Sequence, residues 1–214
     1  MCYSERGADM KRTLITISIV AVLFLSMALS ATARAEEPTD RIHAMLEEIM
    51  TIQTNPQMEG SEHREERRAA IKKIIGENID FDAMAQIALD KHWQKLSPAQ
   101  RSEFKQIFRD LFQDSYSRLV LNFIKREKVL YPKEDVRKST AMVSTVIVRA
   151  NDEITVDYSL SKQGGDWLVD DVKVDGVSIA GNYRNAFDRV IKKESFDGLL
   201  QRMRIQQKAI AKSS

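Results

Sequence analysis

Two carboxylates stand side by side at Asp170-Asp171, and neighbouring acids are the simplest arrangement that could supply one general acid and one general base. The run from Asp166 to Val174 around them reads as a strand, and successive residues of a strand point to opposite faces. The two acids therefore do not converge on one substrate. Asp171, in company with Trp167 and Tyr158, is the single place where an enzyme would be sought, although a perturbed carboxylate is more often structural. His43, His63 and His92 are too dispersed for metal-ligand spacing, and His63 falls in a charged helical face. The one cysteine, Cys2, lies ahead of a long apolar run, so nothing after that run has a thiol for a disulfide, a metal or a nucleophile. There is no glycine-rich phosphate loop and no nucleophile elbow. The sequence thus predicts no catalytic residue, no metal site and no cofactor, and leaves binding without covalent chemistry.

The residues suited to binding are apolar and regularly spaced. Phe104, Phe108, Leu111, Phe112, Tyr116, Leu119, Val120 and Phe123 recur at steps of three and four, while Arg101, Glu103, Lys105, Arg109, Asp110 and Arg118 fill the opposite face. Ser97-Pro98-Ala99-Gln100 starts this helix: a serine to cap free amides, a proline suited to the first turn and a glutamine to reach back. Helical spacing alone does not separate a packed core from the wall of a cavity.

After the long helix the period changes to alternation. Strands are expected at 128–131, 141–149, 153–161 and 166–174, joined as an antiparallel meander with turns at Asn151-Asp152 and Gly164-Gly165. The third strand sends Ile154, Val156, Tyr158 and Leu160 to one face and Thr155, Asp157, Ser159 and Ser161 to the other, so the sheet has one covered side. In the fourth, Trp167 and Val169 share one parity, Val172 and Val174 the other. A one-residue bulge at Asp170-Asp171 would return all four to the covered face and add curvature.

Ahead of the long helix, Ile42, Met45, Leu46, Ile49 and Ile52 mark a first amphipathic helix that stops near Asn55-Pro56. Ser61 opens a second, with Ala70, Ile71, Ile74 and Ile75 inward and Gly76 as its end. A third carries Phe81, Met84, Ile87, Ala88 and Trp93 along one side. Asp197-Gly198 starts a last helix with Leu199, Leu200, Met203, Ile205 and Ile210 facing in. At the other end, Lys11-Arg12, the apolar run Leu14 to Leu29 and Ala33-Arg34-Ala35 have the order of a secretory signal cleaved after Ala35. Residues 1–9 read as an upstream extension. Residues 36–214 are then expected to form one exported domain. Residues 1–35 hold four of the 33 basic and two of the 31 acidic residues, so the remainder is formally neutral. That balance, with no basic run, argues against nucleic acid as a partner.

The succession FDAMAQIALDKHW (81–93), LSPAQRSEFKQIFRDLF (96–112) and DGVSIAGNYRNAF (175–187) resembles the MlaC family of periplasmic phospholipid carriers, also called toluene-tolerance proteins, over roughly 42–210. The family usually has glycine at Asp90 and an aromatic residue at Asp170. With the elements above, an α+β fold is expected, helices lying on one face of a curved four-stranded antiparallel sheet as in cystatin-like and NTF2-like cones, around an apolar pocket. The expected lipid-binding residues are Phe104, Phe108, Leu111, Phe112, Tyr116, Val156, Tyr158, Trp167, Val169, Val172 and Tyr183, the largest on the two facing apolar surfaces. The resemblance implies a monomeric carrier of phospholipid that meets an inner-membrane ABC transporter complex with a lipid-binding hexameric domain, and an outer-membrane lipoprotein associated with a porin. The expected strands offer no cluster of cations on their apolar parity, so the head group is expected in water at the mouth, with Arg184 as a tuning contact at most. A small-molecule enzyme on the same cone and a protein-binding adaptor with a filled core remain the alternatives.

Overall fold

The structure, a computed structural model, describes residues 37–212; the expected leader and its cleavage site lie outside them. Helix α1 (Pro38–Thr54) buries Ile42, Met45, Leu46 and Ile49. It stops where Asn55 turns the chain, its side chain accepting from the Gln57 amide at 2.9 Å, into a short 3-10 turn at Pro56–Met58. Helix α2 (Arg64–Asn78) begins three residues after Ser61 and runs through Gly76. It ends only when Ile79 forms a parallel bridge to Val169 in the sheet. The glycine is no terminator here, because it lies where Gln113 of the next long helix passes close above it.

Helix α3 (Phe81–Leu89) is capped by Asp80, which accepts from the Ala83 amide at 2.9 Å. A 3-10 turn at Asp90–Lys95 follows. Ile87, expected inward, is exposed. Helix α4 (Pro98–Phe123) has the expected capping box, Ser97 and Gln100 bonding reciprocally.

The sheet is an antiparallel meander in the order β1 (Lys128–Arg137), β2 (Thr140–Val148), β3 (Glu153–Gln163), β4 (Asp166–Val174) and β5 (Val177–Ser178). It thus has five strands rather than four. Asp175 and Gly176, both at positive φ, turn the chain so tightly that two further residues pair back onto β4. Strand β1 is longer than the expected 128–131. Its register shifts between Leu130 and Lys133, around Pro132, which has no N–H to give and stands on an edge strand where that is tolerated. The bulge expected in β4 is present: Ser159 pairs with Asp171 and Leu160 with Val169, leaving Asp170 extra.

Helix α5 (Ile179–Lys193) and helix α6 (Phe196–Lys212) close the chain. Ile205 of α6 faces solvent, against expectation, while Leu199, Leu200 and Met203 are buried. The helices cover the sheet face that carries Val143, Ile147, Val156, Tyr158, Leu160, Trp167 and Val169. The fold is α+β.

Candidate functional site

Where α4 faces the sheet, its two halves have different surroundings. The N-terminal half packs among helices: Phe104 meets Phe108 at 5.6 Å and the edge of Phe187 at 5.7 Å, with Phe196 beside them. The C-terminal half faces a cavity of about 310 Å³, at the lower end of the range for ligand pockets. Met45, Leu46 and Ile49 of α1, Ile75 of α2 and Ile79 form one side. Phe112, Tyr116, Leu119, Val120 and Phe123 of α4, with Ile124 after it, form the next. Ile147, Ile154, Val156, Tyr158, Val172 and Val174 of the sheet, with Ile179, complete the lining. Arg149, one residue past the end of β2, is the only charged residue in it among the described residues.

Among the residues expected to bind, Phe112, Tyr116, Val156, Tyr158 and Val172 come together on this cavity. The other six do not line it. Phe104, Phe108 and Leu111 are buried in the helical core, and the Phe108 ring is closed over by Tyr183 at 5.2 Å. Trp167 is buried under Lys162, whose ammonium lies 5.3 Å from the ring centre. Val169 is held beneath the α2–α3 junction, its carbonyl accepting from the Asp80 amide at 2.9 Å. Tyr183 stands among the helical rings instead, 5.3 Å from Phe187 and 6.4 Å from Phe112. Spacing identified the apolar face of α4 correctly, but α5 and α6, which cover half of it, come much later in the chain. The contribution of α1 could have been read from Met45, Leu46 and Ile49, which share its apolar stripe.

The polar groups at the cavity are few and mostly satisfied. Burial pushes the Tyr116 and Tyr158 phenols well above their usual pKa, so both remain neutral. Thr145, fully buried beside them, donates to the Val156 carbonyl at 3.1 Å. At the C-terminal end of α4, Gln53 of α1 donates to the carbonyls of Leu121 at 3.0 Å and Ile124 at 2.6 Å. These are orphan groups at a helix end, and a side chain from a distant helix satisfies them. Leu119 and Phe123 are about half exposed and form an apolar rim.

Neither carboxylate of the Asp170-Asp171 pair enters the cavity. Asp171 accepts from the Val172 amide at 2.9 Å, the Ser178 hydroxyl at 2.6 Å and the Ala180 amide at 3.0 Å, so it ties β4 to the start of α5. Asp170 is held above the usual carboxylate range, first by burial and then by Asp171 and Asp80 nearby. Each histidine has an ordinary partner: His43 the Tyr131 ring, His63 Glu66, and His92 Asp188. Among the described residues no group of three or more His, Cys, Asp or Glu could hold a metal, and no helix is long and apolar enough to cross a membrane.

The sequence model of the MlaC protein matches residues 43–205, a span that takes in every wall of this cavity. The chain belongs to the MlaC family. The toluene tolerance protein ttg2D of Pseudomonas putida is similar to it, 25% identical over 130 residues. That match spans 60% of this chain and 60% of the relative. A solved structure of a phospholipid-binding protein from Ralstonia solanacearum, in complex with a phospholipid, has the same fold. It aligns with a TM-score of 0.70 at 21% identity and covers 84% of this chain and 99% of the other. An MlaC-type fold built on so distant a sequence relies on pattern and volume more than on particular side chains.

Proposed function

We propose that this chain is a periplasmic carrier that holds a phospholipid by its acyl chains in the cavity between α1, α4 and the sheet. The observation that carries the reading is the lining: in a member of the MlaC family, it is apolar on every wall and has a single cation at one end. The phospholipid bound to the Ralstonia solanacearum protein of like fold supports the same class of cargo. Each methylene that leaves water contributes ~0.8 kcal/mol. A bilayer offers nearly the same return, so exchange between membrane and cavity lies near balance. Transfer then requires no bond to break, only a docked partner that keeps water out. The partners we propose are an inner-membrane ABC transporter complex and an outer-membrane lipoprotein with its porin, reached after removal of residues 1–35.

Phe112, Tyr116, Val156, Tyr158 and Val172, with Met45, Ile49, Ile75 and Ile147, are proposed to touch the acyl chains. Native mass spectrometry of protein purified without detergent tests this directly. Lipid mass is expected on the wild type and is expected to be lost from Val156→Trp, whose indole would fill the space, while the circular dichroism spectrum is retained. A folded Val156→Trp protein with undiminished lipid would place the cargo elsewhere.

A further inference from the structure

Arg149 belongs to two concavities at once. On one side it ends the apolar cavity, and on the other it lines a surface groove of about 520 Å³ together with Lys125, Arg126 and Lys128. We infer that Arg149 and these three cations form a subsite for the phosphate of an anionic lipid whose acyl chains lie in the cavity. The inference rests on the carrier reading and adds a head-group preference to it.

The guanidinium is fixed in place and poorly occupied. It lies over the Phe123 ring, 5.5 Å from the centroid, a stacking that orients a planar cation without consuming its N–H groups. Its contacts are long: 3.4 Å from one terminal nitrogen to the Phe123 carbonyl and 3.9 Å from the other to the largely exposed Asp152. Its Nε is buried and has no partner among the described residues. A guanidinium carries five N–H donors in a fork that suits phosphate, and here most of them are unused.

The surroundings favour a negative ligand. Lys125, Arg126 and Lys128 are exposed and none forms an ion pair among the described residues. The one acid in the groove, Glu127, turns its carboxylate back to accept from the Lys125 amide. Cations therefore outnumber acids where the apolar lining gives way to water. A phosphate there need not be buried, so it retains most of its hydration while gaining the field of four cations.

The test uses protein made from the full-length gene, purified without detergent, delipidated and exposed to vesicles of equimolar phosphatidylglycerol and phosphatidylethanolamine. Native mass spectrometry then reads the ratio of the two lipids bound. The wild type is expected to favour the anionic lipid by roughly threefold, the scale of exposed charge pairs, with the bias fading at high salt. Arg149→Gln is expected to bring the ratio close to that of the vesicles. Lys125→Gln with Lys128→Gln, at exposed positions where substitution costs folding little, is expected to move it in the same direction. A wild type without bias, or variants that keep the wild-type ratio, overturns the subsite and leaves the carrier reading intact. A wild type that takes up no lipid overturns both. Inorganic phosphate substituted for chloride at constant ionic strength separates the two sources of a phosphate: a bias it leaves unchanged assigns the site to lipid-borne phosphate, whereas delipidated protein that retains phosphate itself overturns that assignment.

Discussion

Asp90 ends α3 with its backbone at φ 46° and ψ −123°, a region that costs an L side chain about 1–3 kcal/mol. Glycine enters it freely but loses more freedom on folding, by about 0.5–1 kcal/mol. Asp90→Gly is therefore expected to stabilise the protein by about 1 kcal/mol and raise the melting temperature by roughly 2–4 °C; a fall on differential scanning calorimetry would show that the side chain contributes something of its own. Position 90 gave warning of itself, because the glycine that the resemblance leads one to expect is missing there. Arg149 gave less. It sits on the apolar parity of β2, after Ala141, Val143, Thr145 and Ile147, but a lone arginine at a strand end reads as a solvated terminus until the neighbouring walls are known. Gln53 gave none, since its partners are carbonyls, which every residue has.

Between elements, the 3-10 turn after α3 is fastened to α5 through one carboxylate. Asp188 receives His92 at 2.8 Å, Lys91 at 3.0 Å and, from its own helix, Lys192 at 2.7 Å. Hydrogen bonds from Lys192, His92 and Lys91 hold its pKa far below the ordinary carboxylate range. The folded state then binds its proton less readily than the unfolded chain, whose aspartate titrates near ~3.9. The stabilisation is complete well above that value and is lost as the pH falls through it toward the folded pKa. Asp188→Asn is expected to lower the urea midpoint at pH 7, the gap to the wild type narrowing as the pH falls below ~3.9 and closing only as it nears the folded pKa. Parallel midpoints across that range would remove the carboxylate from the account. The elements themselves were largely legible. The capping box of α4 and the parity switch in β4 are local signals, and both features stand where those signals put them. The ends of α2 and β1 were not, because Gly76 answers to Gln113 and Pro132 to the edge of a sheet, neither of which is near in sequence.

For the molecule as a whole, the cavity itself weighs on stability. An apolar void costs on the order of 24 cal/mol per Å³ when its walls cannot collapse, so about 310 Å³ left empty would cost up to ~7 kcal/mol, comparable to the whole stability of a domain. The actual cost is smaller, since the rim at Leu119 and Phe123 is open to water and the walls can draw together. An occupant that binds only the folded chain removes that cost and adds its own binding energy. The lipid-loaded protein is therefore expected to melt at least 5–10 °C above the delipidated one, equivalent to roughly 3 kcal/mol for a chain of this size. Adding back phospholipid should restore the difference in wild type and fail to do so in Val156→Trp, where the indole already occupies the space and should itself raise the delipidated melting point. Equal melting temperatures with and without lipid would mean that the walls meet in its absence, and that the energy for opening them comes from the membrane or a docked partner.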